Sequence, residues 1–228
     1  MRRALLVHGL SSSSESWWRV ADALAEDGWS VTAVDPRGHG DAQRADRYAL
    51  TDYATDLSGE WDLVVGHSLG GAVSVLAAQH PGFARRLLLL DPVLDVPVQE
   101  YDDILADQLS ELDLTEEAIV REKPHWHERD RATKLAGVRA ANAFAVEHTF
   151  TDTGRWDVRT ETAALRVPTL ILGGDHAVYS MLATETADAL TDANPLIEYR
   201  VVAGAGHSPH RDKPEETIAA VREWLLLH

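Results

Sequence analysis

The sequence predicts an α/β fold in which a parallel sheet is covered by helices on both faces. Three observations carry this expectation. Short runs that are apolar throughout, such as Leu63-Val64-Val65 and Leu87 to Leu90, alternate with segments whose apolar residues recur at helical spacing. Strands without a polar face are buried on both sides, which is the condition of a parallel sheet. His8, Asp35, Ser68 and Asp91 each fall where one of these runs ends. Ligands of such sheets sit at the carboxyl ends of the strands.

Taken in order, Ala4 to Val7 is a buried strand that runs into His8-Gly9-Leu10 and a serine-rich loop, Ser11 to Ser14. Trp17, Val20, Ala21 and Leu24 mark one helix face, and Gly28 supplies the stop. Val31 to Val34 is the next strand, closed by Asp35-Pro36-Arg37-Gly38-His39-Gly40. A weaker helix over 51–57 leads to the strand before Ser68, and Pro81 ends the helix after it. Leu87 to Leu90 is a strand that stops at Asp91-Pro92.

The alternation breaks between about 94 and 164. Ile104, Leu105, Leu109 and Leu112 predict one helix there, and Leu135, Val138, Ala141 and Ala145 another. This segment is expected to be a helical lid inserted into a core of residues 1–93 and 165–228. Its charge is negative, with sixteen acidic against eight basic side chains over 95–164. Thr169 to Leu172 resumes the sheet, followed by a helix over 184–190 and a last strand over 196–202. Asp212, with Glu215 three residues on and Pro214 between, reads as a capped helix start. Ile218, Val221 and Leu225 are its expected buried face.

Composition excludes several classes. The 228 residues contain no cysteine, so disulfides, metal–thiolate sites and a thiol nucleophile are ruled out. Twenty-one basic against 37 acidic residues give a net charge of −16, which argues against nucleic acid or an anionic membrane as partner. The apolar stretch behind Met1-Arg2-Arg3 ends too early for a signal peptide, and no run approaches a bilayer span. A cytoplasmic protein is expected.

The chemistry is carried by Gly66-His67-Ser68-Leu69-Gly70, a G-x-S-x-G set between a strand and a helix. In that context the turn is tight and strained, and the serine hydroxyl stands clear of the sheet. The helix N-terminus beneath it favours a developing anion. A serine needs an adjacent base, and the base needs a carboxylate to orient it. His207 follows the last strand in a glycine-bracketed loop, and Asp175 follows the strand before that. The order Ser68, Asp175, His207 is the one expected for this architecture. Asp91 ends a strand at the same sheet edge and is the alternative acid.

These motifs resemble the α/β-hydrolase-fold serine hydrolases of the esterase and lipase type. The resemblance rests on His8-Gly9, Asp35-x-Arg37-Gly38-x-Gly40, Gly66 to Gly71, Gly173-Gly174-Asp175 and Gly206-His207. It implies a six-stranded, mostly parallel sheet, since the chain starts directly at the His-Gly strand. It also implies an oxyanion hole made by the backbone N–H groups of Leu10 and Leu69.

The expected reaction is hydrolysis of a carboxylic ester, thioester or lactone through an acyl-enzyme, without cofactor or metal. Alternatives are a small-molecule receptor of the same fold with little turnover, and a C–C or amide bond hydrolase. His8, His67, Trp126 and Trp156 are pocket candidates, and Tyr101, Phe144 and Phe150 could join an apolar acyl pocket. The expected substrate is a small molecule with a neutral or apolar acyl group. His39, Asp35 and Arg37 read as turn-stabilising, and His125 and His127 as lid side chains rather than metal ligands.

Overall fold

The computed structural model describes every residue from Met1 to His228. Six strands form one sheet: β1 (Arg2–Val7), β2 (Trp29–Val34), β3 (Leu63–His67), β4 (Leu87–Leu90), β5 (Thr169–Gly173) and β6 (Ile197–Val201). Their order is β2-β1-β3-β4-β5-β6, and every neighbouring pair is parallel.

Side chains alternate across a strand, and the two sheet faces build two separate cores. Leu5, Val7, Val64, Leu87, Leu89 and Ile171 face one cluster, which includes residues of α2 (Leu50–Asp56), α3 (Leu69–Ala77) and α9 (Thr184–Ala193). Ala4, Leu6, Val65, Leu88, Leu90 and Leu172 face the other, against α1 (Trp18–Glu26) and α11 (Pro214–Leu227). All four leucines of β4 have no exposed surface. That explains why this strand reads as unbroken leucine rather than as an alternating pattern.

Between β4 and β5 lie only helices: α4 (Tyr101–Ser110), α5 (Glu116–Glu122), α6 (Glu128–Ala140), α7 (Ala143–Thr151) and α8 (Arg159–Ala163). The single helix expected across Leu135 to Ala145 is two. It breaks after Ala140, where Asn142 caps α7 by accepting the amide of Ala145 at 2.9 Å. Apolar residues of this segment do not share one core of their own. Val146, Phe150, Trp156 and Val158 join the larger sheet cluster, while Ile119, Trp126 and Leu135 form a small separate one. The segment also touches the loop after β1 closely. A Cβ on Gly137 would lie 2.7 Å from the carbonyl carbon of Ser12, so glycine permits the approach.

The chain end differs from expectation in one respect. Asp212 does not cap α11; it is the last residue of a short α10 (Pro209–Asp212), and the residue preceding α11 is Lys213. In α11 the deepest side chains are Thr217, Val221 and Trp224, with Ile218 and Leu225 only partly covered.

Candidate active site

The connection from β3 to α3 holds Ser68 at φ 55° and ψ −121°, a conformation that costs a non-glycine residue on the order of 1–3 kcal/mol. The neighbouring glycines make that turn possible by close approach. A Cβ on Gly66 would lie 2.5 Å from the carbonyl oxygen of Gly70, and one on Gly70 would drive into the Val7 carbonyl of β1. Gly70→Ala is therefore expected to lower unfolding free energy by about 2–4 kcal/mol, because backbone atoms would have to move. A urea titration beside wild type checks this; an unchanged midpoint would contradict the close packing.

His207 sits in the loop between β6 and α10, with its ring between two partners. Its Nε2 lies 3.0 Å from Ser68 Oγ, and its Nδ1 lies 2.6 Å from Asp91 Oδ2. The loop is fixed from below by His67, whose Nε2–H donates to the His207 carbonyl at 2.8 Å. Asp91 follows β4 directly at φ 37°, and its backbone N–H holds the Leu172 carbonyl of β5 at 2.8 Å. An aspartate tolerates that left-handed region better than most residues.

Asp91 has no exposed surface. Its Oδ1 accepts from Gly174 N–H at 3.0 Å and Ser180 O–H at 2.6 Å, and its Oδ2 from Met181 N–H at 2.9 Å as well as from His207. Burial pushes the carboxyl pKa up, but the bond from His207, its charge, and the Ser180 and Gly174 donors together hold it below the usual range.

The expectation that Asp175 meets His207 is not met. Asp175 Oδ1 accepts from Ala177 N–H and its Oδ2 from Gly204 N–H, each at 2.9 Å. The carboxylate thus closes its own turn and ties it to the loop after β6. The glycine directly before it serves the other acid: Gly174 turns its N–H onto Asp91, in a spot where a Cβ would meet the Gly206 carbonyl oxygen at 2.7 Å.

A cavity of about 240 Å³ opens beside Ser68 and His207. One wall is apolar, made by Val93, Val96, Ile104, Phe150, Trp156 and Met181. Leu10, Leu69, His67 and Trp126 also line it. His8 does not: it is buried behind the loop, with Nδ1 2.7 Å from the Gly9 carbonyl and Nε2 3.2 Å from Asp35 Oδ1. Asp35 also accepts from Ser14 N–H at 2.6 Å and so braces the loop that carries Leu10. Phe144 and Tyr101 are also outside the lining. Phe144 is half exposed and stacks on His148, while Tyr101 O–H donates to the Phe150 carbonyl at 2.5 Å.

Asp212 was not legible as a site residue. Its Oδ1 accepts from Trp126 Nε1–H at 2.6 Å and lies 3.0 Å from His125 Nε2, while its Oδ2 accepts from Gly206 N–H at 2.9 Å. One carboxylate thereby joins the helical segment between β4 and β5 to the residue before His207. Only its position six residues after Gly206 hinted at this.

Burial pushes the pKa of His39 down to about 4, and those of His67 and His210 well below the usual histidine value. All three rings are therefore neutral in the folded chain at neutral pH. The unfolded chain binds protons at these rings as pH falls through about 6.5, whereas the folded chain does so only at about pH 4 at His39 and only well below 6.5 at His67 and His210. Stability is thus fully present above about pH 6.5 and declines below it, by up to ~1.4 kcal/mol per pH unit for each ring. Urea unfolding at a series of pH values between neutrality and about pH 5 checks this; a flat profile would contradict it.

The alpha/beta hydrolase family model matches residues 4–221. The chain belongs to that family. Among curated relatives, the mouse protein named sn-1-specific diacylglycerol lipase ABHD11 is 27% identical over 97% of this chain and 80% of its own length. Esterase YbfF of Escherichia coli is 28% identical over 97% of this chain and 92% of its own. Among solved structures, E-2-(acetamidomethylene)succinate hydrolase superposes with a TM-score of 0.83 at 22% identity, covering 98% of this chain and 91% of that one. That last likeness is one of fold. No helix of this alpha/beta hydrolase is long and apolar enough to cross a membrane.

Proposed function

We propose that this alpha/beta hydrolase cleaves carboxylic esters through an acyl-enzyme, with Ser68 as nucleophile, His207 as base and Asp91 as the orienting acid. The observation that carries the reading is the continuous chain Ser68 Oγ to His207 Nε2 at 3.0 Å and His207 Nδ1 to Asp91 Oδ2 at 2.6 Å. Two relatives that bear the names lipase and esterase support the same reaction class.

In this mechanism Ser68 Oγ attacks the ester carbonyl carbon while its proton passes to His207 Nε2. Asp91 holds the ring in the tautomer with its proton on Nδ1 and stabilises the imidazolium. The negative charge that develops on the carbonyl oxygen is met by the N–H groups of Leu69 and Leu10. Leu69 opens α3, and the Leu10 amide has no acceptor within the protein. Each such donor is worth roughly 2.7–4 kcal/mol of barrier. The C–O bond to the alcohol then breaks, and the alcohol leaves with the proton from His207. Water attacks the acyl-enzyme, gives its proton to His207, and the acid departs as Ser68 regains that proton. No cofactor enters.

Residues 94–164 act as a cap, with Phe150, Trp156 and Ile104 receiving the apolar part of the acyl group. The test is a series of p-nitrophenyl esters of increasing acyl length, together with labelling by a fluorophosphonate. Turnover and labelling that both require Ser68 are expected. Strong labelling with no turnover across the series would instead favour a receptor.

A further inference from the structure

Besides its apolar residues, the cavity lining carries charge. Lys123, Lys134 and Arg211 line it with a single carboxylate, Glu111. This local excess of cations stands in a chain of net charge −16, so the sign of the lining is opposite to that of the surrounding protein. Lys134 and Glu111 pair at 2.8 Å and neutralise one another.

Arg211 has no such partner. It is 5% exposed, yet the one polar contact of its guanidinium is Nη2 to Ser12 Oγ at 3.4 Å, and its Nε is buried without any. Three acids act on it through their fields, and each is engaged elsewhere. Asp130 accepts from Trp18 Nε1–H at 2.8 Å and faces Arg19 Nε at 3.5 Å. Asp212 holds Trp126, His125 and the Gly206 amide, and Glu111 holds Lys134. Burial accordingly lowers the Arg211 pKa despite those carboxylates. The guanidinium and the Lys123 ammonium both lie on the Trp126 ring, at 5.0 and 5.4 Å from its centroid.

A buried guanidinium presents five donors in a planar fork, and leaving them unpaired is unfavourable unless a ligand supplies the acceptors. We propose that Arg211 is a subsite for a carboxylate carried by the substrate, so that the ester cleaved at Ser68 is an anionic one. The apolar wall then takes the chain that joins the two ends. This deepens the esterase reading and rests on it for the cleavage, though not for the binding.

Two pairs of esters test the proposal on the unmodified protein. The p-nitrophenyl half-ester of adipic acid is compared with the isostere that has an isopropyl group in place of the carboxylate. Likewise para-acetoxybenzoate is compared with para-acetoxybenzamide. The anionic member of at least one pair is expected to have the higher kcat/KM, on the order of tenfold or more. In Arg211→Met that preference should vanish, the kcat/KM ratio of anionic to neutral member falling to about one; Arg211→Gln, which keeps a donor for Ser12, takes its place if the methionine variant does not fold.

No preference in either pair, or one that survives the loss of Arg211, would overturn the subsite. Should no ester of either charge be cleaved, the serine mechanism fails, and calorimetry with adipate on Ser68→Ala decides the subsite separately. Saturable binding that disappears in the Ser68→Ala/Arg211→Met double variant supports it, and no binding to Ser68→Ala overturns it.

Discussion

Ser68→Ala is expected to remove ester turnover, lowering kcat by a factor on the order of 10⁶. No other hydroxyl is placed on His207: its two ring nitrogens are occupied by Ser68 and Asp91. The variant should nonetheless fold, because the Ser68 side chain makes one hydrogen bond and that bond is to His207. Alanine inherits the backbone strain at φ 55° without adding to it. Steady-state kinetics and a thermal melt on the same preparation separate the two effects. An alanine variant with more than about a hundredth of the wild-type rate would be incompatible with a serine nucleophile.

Asp91→Asn should be the second most damaging change, with a loss in kcat on the order of 10⁴ by analogy with the serine-protease template. Every group around Asp91 is a donor: Gly174, Ser180, Met181 and His207 all point hydrogens at its two oxygens. An amide cannot accept from all four. If its NH₂ faces His207 Nδ1, that nitrogen must become the acceptor, and the ring proton moves to Nε2, where it faces Ser68. A base with its proton on that side cannot take another. If the amide is turned the other way, the NH₂ meets Gly174 and Ser180, and stability falls by about 1–3 kcal/mol. Asp175→Asn should lose at most a few-fold in kcat, since that carboxylate only pins Ala177 and Gly204. Kinetics of both variants on one ester rank the two acids; the reverse ranking would return the role to Asp175.

The contrast between these two acids shows how far the sequence could be read. Six strands, their all-apolar character and the strained serine between β3 and α3 were legible, because periodicity and the glycine spacing are local properties of the chain. His207 was legible for the same reason, at a glycine-bracketed strand end. The choice between Asp91 and Asp175 was not local. Both end strands at the same sheet edge, and chain order favoured Asp175. What decides is which carboxylate the β5–α9 loop wraps, and that loop gives Gly174, Ser180 and Met181 to Asp91.

Asp212 escaped for a related reason. Its spacing to Pro214 and Glu215 reads as a helix start, whereas its partner Trp126 comes from a distant part of the chain. The summed charge of residues 95–164 is likewise not a local property of the site. The segment's surplus of acids says nothing about the cavity, where Lys123, Lys134 and Arg211 outnumber Glu111. His8 looked like a pocket residue because it sits beside Gly9 at a strand end. Only the packing shows that its ring turns away toward Asp35.

Acylation of Ser68 is read out by quenching the enzyme in acid during turnover of a p-nitrophenyl ester and locating the adduct by peptide mass spectrometry. The expected result is the mass of the acyl group on the peptide that contains Ser68, formed in a burst matched by p-nitrophenol release and accumulating in Asp91→Asn only slowly. An adduct on any other residue, or a burst of product with unmodified Ser68, would rule out Ser68 as the nucleophile.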